Sequence, residues 1–135
     1  MIIDTPLVLC LREILHGDVK LSNFETLDWE LLIRQARKAN LLSRVAYFLR
    51  EKNILQLLPE KVQGHFISAL YIYDANVRSY HWEVEQINSV LSEAEVPCLL
   101  LKGVAYIESH LMAKKGRVFS DVDIMVPKDQ LKKAE

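Results

Sequence analysis

Asp121 and Asp123 stand two residues apart in the apolar run FSDVDIMVP. On a strand, residues two apart leave the same face, so the two carboxylates converge while Val122, Ile124 and Val126 point the other way. Two like charges on one face are best tolerated beside a cation. Mg²⁺ suits them, because it takes oxygen donors, keeps some water and is completed by substrate phosphates. A metal so held is a standard device for displacement at phosphorus. Upstream, the apolar run CLLL ends in Lys102-Gly103 and leads straight into a helical pattern. Glycine lets a phosphate approach the backbone, and Lys102 adds a point charge to it. Arg117, four residues before Asp121, is placed to pair with phosphate or to hold the carboxylates. Ser120 points away from the aspartate face of a regular strand, which gives it local hydrogen bonding. The ordered set is an apolar strand, Lys-Gly, a helix, then Arg-x-x-Ser-Asp-x-Asp on a second strand. It points to a metal–nucleotide site. Taken singly, each piece has a plain structural reading: a solvated acidic pair, a turn, a surface arginine.

The elements that must position this set precede it. Thr5-Pro6 is a helix start, with a capping hydroxyl and proline at the first helical position, and Gly17 is its stop. Residues 17–27 read as a polar loop. Asp28 reads as the next N-cap, with Leu27 stapled onto Leu32. Trp29, Leu32, Ile33 and Ala36 give that helix its apolar face, and Asn40 ends it. A third helix spans about residues 41–52. Pro59 opens the longest element: Val62, Phe66, Leu70, Tyr73, Val77, Tyr80, Val84, Ile87 and Leu91 recur at helical steps up to about Glu95. Such a helix is about 50 Å long at ~1.5 Å per residue, and the other helices are expected to lie along it. Tyr71, Tyr73, Tyr80 and Trp82 fall on several of its faces, which favours packing over a base-stacking surface. Residues 98–101 and 119–126 read as strands, residues 104–112 as a helix between them, and Pro127 as the start of another helix.

Composition bounds the class. The chain has 135 residues, half of them hydrophobic, and a formal net charge of -1. That is enough for one domain with a core, or for one domain plus a fragment of a second, and too little positive charge for a general nucleic-acid coat. No apolar run reaches the roughly 20 residues of a membrane span. The start MIIDTP carries an acid where a leader would be basic, so the expected location is cytoplasmic. Cys10 and Cys98 lie in apolar runs and read as reduced core thiols. His16, His65, His81 and His110 lack zinc spacing.

With its motifs in hand, the stretch LLLKGVAYIESHL…GRVFSDVDIMVP resembles the uncharacterised bacterial nucleotidyltransferases of the DNA polymerase beta-like superfamily. Their pattern is an apolar strand, LKG, a helix, then R-x-x-S-D-[IV]-D-[IL]-[LM]-V-P. It is more distantly similar to abortive-infection-type toxin nucleotidyltransferases. About thirty residues carry the specific motifs, and the helical part upstream is weakly similar. The resemblance implies transfer of a nucleoside monophosphate from an NTP to an acceptor, which could be protein, RNA or a small molecule. It gives Asp121 and Asp123 the metal, Mg²⁺ or Mn²⁺. It sets Lys102 and Gly103 where the superfamily has its Gly-Ser turn against the triphosphate, and it matches Arg117 and Ser120 to the residues before the aspartates. Two departures stand out. The superfamily's third carboxylate lies on a later strand than this sequence contains, which leaves the activity of this stretch alone open. Lys114-Lys115-Gly116 lacks the family's common tyrosine-proline-like element.

The expected fold is therefore α+β. A helical region over residues 1–95 leads into the first strands of a nucleotidyltransferase core over residues 96–135. Two strands rarely make a stable sheet alone, so a truncated core is expected, with an exposed edge that favours homo-oligomers. Two other functions are compatible with parts of the pattern. One is a DxD glycosyltransferase using a sugar nucleotide, against which the Lys-Gly turn argues. The other is a non-catalytic helical interaction module.

Overall fold

The computed structural model describes residues 5–17, 21–109 and 111–134. His110, the N-terminal residues 1–4 and residues 18–20 of the expected loop lie outside the described residues. The architecture is mostly helical with a small antiparallel sheet, an α+β fold. The chain forms two compact units, Met1–Tyr73 and Asp74–Glu135. The sequence places a boundary after residue 95, where helix gives way to strand. The division between the two compact units falls inside the long helix.

In the first unit, α1 (Pro6–His16) starts and stops as its sequence dictates. The Thr5 side chain accepts a hydrogen bond from the Val8 N–H at 3.4 Å. Gly17 takes the left-handed conformation, φ 69°, and its N–H reaches the Glu13 carbonyl. Helix α2 (Thr26–Lys38) begins earlier than expected. Its cap is Glu25, and the Asp28 carboxylate reaches back to accept the Glu25 N–H at 2.9 Å. A pair of acids three apart closes the helix start reciprocally, and this outcompetes Asp28 capping by itself. Leu27 then sits inside the first turn, 76% exposed, and makes no staple.

Helix α3 (Leu42–Glu51) follows, and then α4 (Glu60–Glu93). The first turns of α4 bring Val62, Phe66, Ala69 and Leu70 into a cluster with Cys10, Leu32, Val45 and Leu49. Phe66, Leu32, Leu49, Val45 and Cys10 are fully buried. Burial, with the charge of Glu13 adding to it, pushes the Cys10 thiol up to about 12. That thiol is an inert core group, as the sequence suggested.

Helices α2, α3 and α4 share one ending. Asn40, Asn53 and Glu95 each adopt a positive φ of 54–56°. The next residue, apolar every time, then donates back across the last turn: Leu41 to Ala36 at 2.7 Å, Ile54 to Leu49 at 2.9 Å, and Val96 to Leu91 at 2.8 Å. Left-handed residue, reversed hydrogen bond and apolar follower make a helix stop that satisfies stranded carbonyls.

In the second unit, β1 (Leu99–Leu101) leads into α5 (Lys102–Glu108), and β2 (Asp123–Met125) returns antiparallel to β1. The pairs are Leu99 with Met125, Leu100 with Ile124 and Leu101 with Asp123. Tyr80 of α4, Val104 and Ile107 of α5, and Phe119 form the core, with Val84, Leu100 and Val122 against it. A short 3₁₀ turn (Lys128–Gln130) and α6 (Leu131–Ala134) end the described chain.

Three expectations change here. Strand β2 is three residues long, not eight, because its partner is equally short. Pro97 has no N–H to offer a ladder, and Lys102 turns left-handed at φ 51°, so β1 has room for little more than Leu99–Leu101. Helix α5 ends at Glu108 rather than near Met112. Ser109 turns extended and its hydroxyl donates to the Tyr106 carbonyl at 3.3 Å, while the Lys114 ammonium takes the Ile107 carbonyl at 3.1 Å. Among the α4 aromatics, Tyr80 is core and Tyr73 packs edge-on to Tyr47, but Tyr71 and Trp82 are exposed. No helix among the described residues is long and apolar enough to cross a membrane.

Candidate functional site

The site is built around Phe119. Its backbone belongs to neither strand, yet it is held as a strand residue would be. The Phe119 N–H donates to Asn76 Oδ1 at 3.0 Å, and Asn76 Nδ2 donates to the Phe119 carbonyl at 3.1 Å. One amide side chain on α4 thus replaces a neighbouring strand. The Phe119 ring meets Tyr80 edge-on at 5.8 Å between centroids. The Arg117 guanidinium lies 5.2 Å from the Phe119 centroid and 5.8 Å from that of Tyr106.

Gly103 answers to the same ring. A Cβ at position 103 would stand 2.2 Å from Phe119 Cδ1 and 2.7 Å from Cε1. The glycine expected to admit a phosphate is buried, and the space a side chain would take is filled by Phe119. The chain must also turn from β1 into α5 without a linker, which calls for a left-handed residue. Lys102 takes that conformation, φ 51°, although glycine would adopt it at less cost. The Lys-Gly pair therefore divides two demands: strained backbone at Lys102, close approach at Gly103. A non-glycine residue held left-handed is uncommon, and such strain concentrates at functional sites.

The turn at Lys102 brings its side chain across the end of the ladder. Lys102 Nζ lies 3.2 Å from Asp123 Oδ2. Asp123 heads β2, opposite Leu101, so its carboxylate is directed by the strand register. The two side chains are 74% and 37% exposed. Water screens such a pair, which contributes at most about 1 kcal/mol to stability. Its value is positional: it sets an ammonium beside a carboxylate at the mouth of the site.

Asp121 lies outside β2, on exposed irregular chain between Phe119 and Asp123. The strand alternation that would put it on the face of Asp123 does not extend that far. The two carboxylates nonetheless act on one place. Tyr80, 4% exposed, has its pKa raised first by burial, then by the charges of Asp121, Glu83 and Asp123. Its hydroxyl stays protonated at neutral pH and is a donor in the field of both aspartates. Arg117 forms no ion pair with either aspartate; its charge rests on the Tyr106 and Phe119 rings instead. Ser120 is exposed and has no hydrogen bond among the described residues.

Among the described residues, no group of three or more His, Cys, Asp or Glu side chains is gathered to hold a metal. The donors at hand are the two aspartates. They are hard oxygen ligands of the type Mg²⁺ accepts with water and phosphate in its remaining positions.

Asn76 and Tyr80 are the site residues that the sequence motifs missed. The signal was one asparagine between Tyr73 and Tyr80 on the otherwise apolar period of α4. An asparagine on a buried face needs partners. Asn76→Ala is expected to strip both hydrogen bonds from the Phe119 backbone at a cost of about 2 kcal/mol. Urea unfolding followed by aromatic circular dichroism reads this; an unchanged midpoint would contradict the strand-like role of Asn76.

A family model described as "Uncharacterised nucleotidyltransferase" matches residues 25–135. No curated protein matches the chain, and no solved structure matches it. The matched stretch runs from the cap of α2 through α6 and contains Asn76, Tyr80, Lys102, Gly103, Arg117, Ser120, Asp121 and Asp123. With most of its length inside that match and its Lys-Gly turn joined to the aspartate strand, the chain belongs to the uncharacterised nucleotidyltransferase family.

Proposed function

We propose that this protein transfers a nucleoside monophosphate from an NTP to an acceptor hydroxyl, with release of pyrophosphate, and that its core is polymerase-beta-like. The observation that carries the reading is the Lys102–Asp123 pair on a strained turn, within a nucleotidyltransferase family match. Asp121 and Asp123 would hold Mg²⁺, which would offset the negative charge that develops on the phosphates. Lys102 occupies Asp123 as a resident cation in the structure described. Lys102 would offer its ammonium to a triphosphate bound beside Asp123. The exposed Arg117 guanidinium, supported on two rings, keeps its N–H edge open for a phosphate. Tyr80 supplies a protonated hydroxyl, its pKa raised by burial and by the nearby carboxylates. Gly103 and Asn76 serve through Phe119, which fixes the chain entering Asp121.

The test is Mg²⁺-dependent binding of NTPs by calorimetry, and its loss in Asp121→Asn. A separate variant isolates the lysine. Lys102→Gly relieves a left-handed residue and removes only a screened ion pair. It is expected to raise the melting temperature slightly, by the equivalent of about 1 kcal/mol, while NTP affinity falls about tenfold. Equal affinity in the variant and the parent would remove Lys102 from the site.

A further inference from the structure

The first unit carries a second cluster of cationic side chains, independent of the aspartate site. Helix α2 sets Arg34 and Arg37 three residues apart on one face, and α4 brings His65 beside them. Arg37 Nη2 lies 3.2 Å from His65 Nδ1. A guanidinium has no acceptor, so Nδ1 accepts, and the imidazole is the neutral tautomer with its proton on Nε2. Arg37 therefore fixes His65 as a further donor. Arg34 has no hydrogen bond or ion pair among the described residues. Glu30, one turn before it at favourable spacing, makes none either. Arg34, Arg37 and His65 line one hollow of about 290 Å³ together with Ile33 and Glu30.

We propose that this hollow is a phosphate-binding site. Three side chains supply donors, two of them cationic, against one carboxylate. A tetrahedral phosphate offers three oxygens to three such donors, whereas a carboxylate offers two. Guanidinium N–H pairs match phosphate geometry. The phosphate belongs either to a free nucleotide or anion, or to the backbone of a nucleic acid presented to the enzyme.

The intact chain is tested in EDTA, so that metal-dependent binding at Asp121 and Asp123 does not contribute. Inorganic phosphate is titrated by calorimetry, and a fluorescent single-stranded RNA oligonucleotide by anisotropy at several salt concentrations. Arg34→Gln is expected to weaken binding about tenfold. Glu30→Gln is expected to strengthen it several-fold by removing the opposing charge. Both positions are exposed, and circular dichroism melts of the variants should match the parent. RNA binding with a salt slope reduced by about one in Arg34→Gln identifies a nucleic-acid phosphate. Binding of inorganic phosphate alone identifies a free anion. Absence of binding by both probes, or binding indifferent to Arg34→Gln and Glu30→Gln, overturns the proposal.

Discussion

Gly103→Ala is expected to break the second unit. The added methyl would sit 2.2 Å from Phe119 Cδ1, 2.7 Å from Cε1 and 3.1 Å from Cγ. Relief requires the ring to move, and the ring is poorly placed to do so. Its backbone is held at both polar atoms by Asn76, and its ring is met edge-on by Tyr80. Moving the glycine instead shifts the turn that positions Lys102. Overpacking in a yielding core costs about 1–3 kcal/mol, and a site with so little freedom belongs at the top of that range or above. Because the chain has two units, unfolding is best followed by probes that separate them. Tyr80 and Phe119 signals should be lost early in urea, while the helical signal of the first unit persists. The double variant Gly103→Ala with Phe119→Leu should recover part of the loss, since the two positions share one space. If Gly103→Ala alone unfolds like the parent, the steric reading of the Lys-Gly turn fails.

The second large effect is functional. Asp123→Asn keeps the size and shape of the side chain and removes its charge. The ion pair lost is screened, so stability should change by less than about 1 kcal/mol. Mg²⁺-dependent NTP binding should instead fall by at least about a hundredfold, because the neutral amide is a far weaker ligand for a hard cation. The contrast with Gly103→Ala separates fold from function. One variant loses the unit, and the other keeps the unit and loses the ligand.

Much of this could be read from the sequence where a signal is local. Thr5-Pro6 and Gly17 bound α1 as their capping chemistry requires. The three- and four-residue spacing from Val62 to Leu91 gives α4 as one helix. The motif residues Lys102 and Asp123 do meet. What could not be read depends on partners distant in sequence. The length of β2 is set by how much ladder β1 can offer between Pro97 and Lys102. The Phe119 backbone lies outside both strands and is satisfied by a side chain forty-three residues earlier. Nothing local to Gly103 reveals that Phe119 fills the space of its missing side chain. Arg117 looked like a partner of the aspartates, but it rests on rings instead. The start of α2 moved because Glu25 and Asp28 close it jointly, a competition between two acids that spacing alone leaves undecided.

The most direct test of the account is a calorimetric titration of each of the four NTPs, with and without Mg²⁺, into the parent chain and Asp123→Asn. The account predicts binding by the parent that requires Mg²⁺ and is lost in Asp123→Asn, whose melting curve stays like the parent's. Mg²⁺-dependent binding that survives Asp123→Asn, or no binding of any NTP by the folded parent, would contradict it.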